Sequence, residues 1–138
     1  MSSAVLSKVA ALLCGATMLG LGLWALFWPV SFAAWVDFPP YNEHLLHDVG
    51  AFQIGIGVTL LLAAVVRDAL TVALAGFVCA GSIHAVVHRT DLHLGGHHYD
   101  AWGLAGLVVV AGVGLVARAA DQRRTSGPAL MDKSTVSH

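Results

Sequence analysis

Two short stretches of the chain repeat one pattern. In EHLLHD, residues 43–48, His44, His47 and Asp48 are spaced i, i+3 and i+4, and in HAVVHRTD, residues 84–91, His84, His88 and Asp91 recur at similar intervals. At about 3.6 residues per turn, each set falls on one face of a helix. The intervening loop DLHLGGHHYD, residues 91–100, adds His93, His97, His98 and Asp100, and Gly95-Gly96 would let it fold back over a site. Neutral imidazole and carboxylate are the ligands that zinc, iron, copper and manganese take, and a carboxylate can also orient a ligating imidazole from behind. The residue types therefore point to a transition-metal site. As helix-end charges at a membrane boundary, the same residues could instead be simply solvated, with Asp48 or Asp91 paired to Arg89.

The elements that would position these side chains are apolar. The chain of 138 residues is 57% hydrophobic and 11% charged, with a mean hydropathy of +0.77. That is a membrane composition. Charges avoid the runs 9–36, 49–66, 69–87 and 101–117, each close to the length that crosses a ~30 Å hydrocarbon core at ~1.5 Å per residue. The expected architecture is all-α: a bundle of four transmembrane helices over about 9–30, 48–66, 69–88 and 101–118, within a single domain of residues 1–120. Residues 121–138 form a polar tail, expected to be disordered and cytoplasmic. The first run also has features of a signal peptide, with Lys8 before it and Ser31-Phe32-Ala33 as a cleavage site, but it exceeds the ~7 to 15 residue core of such signals.

Positive charge sets the expected orientation. Lys8, Arg67, Arg118, Arg123, Arg124 and Lys133 fall on one side of a four-span layout, whereas Arg89 stands alone on the other. The positive-inside rule then places both termini in the cytoplasm of a plasma-membrane protein and all seven internal histidines on the extracytoplasmic face. Trp24, Trp28, Trp35, Tyr41, Tyr99 and Trp102 suit an aromatic belt there, and Pro29, Pro39 and Pro40 mark a non-helical outer loop. Arg67-Asp68 makes so short a turn that spans two and three are expected to pack as an antiparallel hairpin, bringing the two histidine sets face to face. Cys14 and Cys79 fall inside helices and read as packing. The glycines suit close helix contacts, and Gln53 reads as a hydrogen-bonding link to another helix.

The spacings His84-x3-His88, His93-x3-His97-His98 and His44-x2-His47 resemble the histidine boxes of membrane-bound di-iron hydroxylases and desaturases, which activate oxygen against lipid chains. His47 is followed by Asp48, where that pattern has a second histidine, and the expected face is exterior. Over residues 5–120, with FPPYNEHLLHDVGAFQIGIG as the distinctive stretch, the chain also resembles small four-span membrane proteins of actinobacterial type, which implies topology without mechanism.

Three functional classes remain open on the sequence. One is a metal-binding membrane protein holding zinc, iron or copper, either a metal-handling factor or a metal-dependent oxidoreductase or hydrolase with Asp48 or Asp91 as base or supporting group. Another is a haem-binding subunit, ligated by His44 or His47 opposite His84 or His88. The third is a pH-sensing or interaction subunit without a cofactor. A transporter is disfavoured, because the spans carry no ionisable path. The expected partner is the lipid bilayer, with a second copy or another membrane protein left open and no nucleic acid indicated.

Overall fold

The computed structural model describes residues 2–66 and 68–132, with side chains through residue 124. Arg67 and Lys133 to His138 lie outside the described residues, as do the side chains of 125–132. All regular structure among the described residues is helical: α1 (Ser3–Phe27), α2 (Pro29–Val36), α3 (Glu43–Ala63), α4 (Leu70–Thr90) and α5 (Asp100–Asp132), with one 3-10 turn at Leu92–Leu94. The helices α1, α3, α4 and the 100–124 part of α5 are each long and apolar enough to cross a membrane. Only 11% of the most apolar window of α4 is buried inside the protein, so its remaining apolar surface needs lipid around it. The chain is a multi-pass membrane protein on these grounds.

Local chemistry sets the helix ends. Ser2 Oγ accepts from the Val5 amide at 3.3 Å at the start of α1, and Asn42 Oδ1 accepts from the Leu45 amide at 3.1 Å at the start of α3. Each satisfies one of the amides that a helix start leaves open. Glu43 adds a negative charge to the first turn of α3. Pro29 disfavours helical geometry at Trp28, which breaks α1, and then itself occupies the first turn of α2. The residue expected in a non-helical loop is thus a helix start. The 37–42 segment, with Pro39 and Pro40, is irregular as expected.

Packing among the four long helices departs from the hairpin expectation. Helix α1 lies at the centre, against α3 on one side and α5 on the other, and α4 packs along α5, while α3 and α4 scarcely touch. The cause is a pair of glycine crossings. A Cβ built on Gly22 would stand 2.8 Å from the Gly50 carbonyl oxygen, and one on Gly57 would stand 2.6 Å from the Leu19 amide nitrogen and 2.8 Å from the Gly15 carbonyl oxygen. Gly15 and Gly22 are seven residues apart on α1, Gly50 and Gly57 seven apart on α3, and in an antiparallel pair Gly15 meets Gly57 while Gly22 meets Gly50. Without a hydrophobic drive between helices in lipid, such backbone approach is a main source of association. It draws α3 onto α1 and away from α4.

The core follows from this layout: Ala11, Cys14 and Met18 of α1 meet Leu60 and Ala63 of α3, Leu70, Leu74 and Phe77 of α4 and Ala111 of α5. Cys14 packs as expected, its Sγ donating to the Leu107 carbonyl at 3.6 Å. At the end bearing the 64–69 turn, Arg118 reaches Asp68 at 3.4 Å and Asp121 at 3.5 Å, which ties α5 to that turn. Helix α5 continues through 121–132 as regular helix, in the segment read from composition as a tail.

Candidate functional site: a groove between α3 and α4

At the opposite end the histidines separate into local groups. On α3, His44 Nε2 lies 3.6 Å from Asp48 Oδ2, and His47 Nε2 lies 3.9 Å from Glu43 Oε1, both pairings within one helix. On α4, the rings of His84 and His88 meet edge to face at 4.6 Å, and His88 in turn meets the ring of Phe38 at 5.4 Å. Asp91 caps α4 and accepts from Thr90 Oγ1 at 3.2 Å. His93 is exposed in the 3-10 turn. The His97 amide donates to Asp100 Oδ2 at 2.7 Å, and the His97 ring stacks on Tyr99 at 4.9 Å, while the His98 ring meets Tyr99 edge to face at 5.4 Å.

Gly95-Gly96 does turn the loop back, but onto the 37–38 corner. Gly95 has φ 139° and Gly96 φ 78°, backbone that glycine adopts without a steric penalty. The Gly96 amide donates to the Asp37 carbonyl at 2.8 Å, and a Cβ on Gly96 would meet Phe38 Cε2 at 2.5 Å. Among the described residues no hydrogen bond or ring contact joins a histidine of α3 to one of α4. Nor does any group of three or more His, Cys, Asp or Glu among them stand where it could hold a metal ion. The sequence pattern was read as though its two helices were neighbours, and the glycine crossings give α3 a different neighbour.

What lies between α3 and α4 is a groove of about 1000 Å³. Gly55 and Gly76 help keep it wide, since a Cβ on either would meet nothing within 4 Å. Phe52 and Phe77 bring aromatic surface to the walls, and among the described residues the polar side chains there are Gln53, Thr59 and His84, with no Asp, Glu, Lys or Arg. Gln53 Oε1 is enclosed and makes no hydrogen bond, so the expected link from this oxygen to another helix is absent. Thr59 Oγ1 donates to the Gly55 carbonyl of its own helix at 2.8 Å. His84 is open to the groove.

The groove was missed in sequence reading because it arises from which helices fail to pack. Its one sequence signal was Gln53, a polar residue in an apolar run with no obvious mate. Together these features define a class: a small four-span helical membrane protein with a groove that separates two of its helices. No family model, no curated protein and no solved structure matches the chain.

Proposed function

We propose that the protein binds an apolar ligand drawn from the bilayer, holding it in the α3–α4 groove with Gln53 and His84 as polar contacts. One observation carries this reading: an apolar cavity of about 1000 Å³ between two spans has a few neutral polar groups in its wall. Mostly apolar concavities with a small number of polar anchors are the usual form of small-molecule sites. We place the histidine-bearing end on the extracytoplasmic side, a reading supported by the sequence, where Lys8, Arg67, Arg118, Arg123, Arg124 and Lys133 fall on the other side of a four-span layout and Arg89 alone on this one. The membrane is then the plasma membrane.

Lipid co-purification tests the reading. Protein extracted in mild detergent should retain a stoichiometric apolar compound, identified by mass spectrometry, and Gly76→Leu should lose it because a side chain then fills the groove. Retention of the same compound by a folded Gly76→Leu variant would overturn the proposal.

A metal reading is favoured by one contact, the 4.6 Å approach of the His84 and His88 rings. Two imidazoles at this spacing could supply part of a site for zinc, iron or copper, with further donors from outside the described groups. The geometry supports binding at most, and no catalytic step follows from it.

A further inference from the structure

We propose that α2 is an interfacial anchor, a short helix that seats its exposed face in the headgroup region of the bilayer at the histidine-bearing end. Span length gives the first argument. Lys8 is the last charge before α2, and Trp28 follows twenty residues later, ~30 Å along α1 at ~1.5 Å per residue, which is about the thickness of the hydrocarbon core. Helix α2 therefore begins where the core ends. The next charge is Asp37, which closes α2 in a left-handed conformation with φ 53°, so the helix stands between an apolar span and a water-seeking side chain.

The pattern of exposure gives the second argument. Helical periodicity puts Val30, Ser31, Ala34 and Trp35 on one side of α2, and all four are exposed, whereas Phe32 on the other side is buried. The Phe32 ring packs against Trp24 at 5.5 Å and Trp35 at 5.8 Å. The one polar side chain on the exposed side is satisfied within the protein: Ser31 Oγ accepts from Trp24 Nε1 at 2.8 Å and donates to the Trp28 carbonyl at 3.1 Å. What remains outward is apolar and aromatic, with Val30 70% exposed, Trp28 63% and Trp35 48%. This surface continues that of α1, because the Phe27 and Trp28 rings meet at 6.1 Å and Phe27 is itself exposed. Among the described residues the indole N–H groups of Trp28 and Trp35 make no hydrogen bond. Apolar rings with a free donor at one edge match the layer where lipid chains give way to ester carbonyl and phosphate oxygens. A helix with such a face lies at that boundary rather than in water.

Spin labelling of the full chain in phosphatidylcholine nanodiscs tests the anchor. Nitroxides go on Val30→Cys and, separately, on Ala34→Cys, each in a Cys79→Ser background because Cys79 is exposed whereas Cys14 is buried. Both sites are exposed, so the label displaces no packed neighbour. The reading is the ratio of collision rates with oxygen, which enters lipid, and with a nickel chelate, which stays in water. Val109→Cys, at a 63% exposed position inside α5, gives the hydrocarbon reference, and His44→Cys, where 87% of the side chain is exposed, gives the aqueous one. At positions 30 and 34 the ratio should fall between the two references. A ratio equal to that at position 44 would put the face in water, and one equal to that at position 109 would put it in the core; either overturns the assignment. Loss of collisions with both reagents would mean that protein, such as a second copy of the chain, covers the face, and overturns it equally.

Discussion

Gln53 and the paired histidines carry opposite lessons about single residues. A buried acceptor left without a partner costs about 1–3 kcal/mol, so ligand-free Gln53→Leu should melt higher in detergent by an amount equivalent to about 1 kcal/mol or more; a lower melting point would mean that the amide has a structural partner. For the metal reading, His84→Ala/His88→Ala should abolish metal retention, read by elemental analysis of untagged protein, while leaving membrane insertion intact. Stoichiometric metal in that double variant would remove the pair from consideration. The sequence made these residues visible by type and spacing alone. It could show that His84 and His88 share a helix face, because that follows from periodicity, and their rings do meet. It could not show what faces them, because that depends on helix neighbours in three dimensions.

At the level of elements, the four long helices were legible from apolar run length, whereas their pairing was not. A short turn between α3 and α4 implied adjacency, but the seven-residue glycine spacing on α1 and α3 creates a closer contact elsewhere. Gly57→Leu should destabilise the fold by several kcal/mol, because its new side chain meets the α1 backbone rather than movable atoms. Gly103→Leu makes the control, since a Cβ there meets nothing within 4 Å, and its unfolding temperature should stay near that of the parent. Equal loss in both variants would mean that the crossings do not hold α1 to α3. The corner formed by Asp37, Phe38 and Gly96 was half visible: glycine announced the reversal, and its landing place on Phe38 came only with the fold.

For the whole molecule, the charge asymmetry makes a direct prediction. Reporter fusions after Ala120 should be active only for a cytoplasmic reporter, and tags in the 91–98 loop should be reached from outside intact cells. The converse pattern would invert the bundle and move the histidines to the cytoplasmic face. Arg118 contributes here as well: its contacts with Asp68 and Asp121 lie at the end where the basic residues gather.

The groove also divides the bundle mechanically. Helices α1 and α3 form one leaf and α4 and α5 the other, with the α1–α5 seam as spine and the short turn beside Asp68 as the covalent tie. An occupant touching both leaves would act as a strut, so heat resistance outside the bilayer becomes a joint property of polypeptide and lipid. Extraction conditions that strip lipid should then loosen the leaves first along the groove-facing sides of α3 and α4, where amide exchange would rise before the central helix α1 is affected.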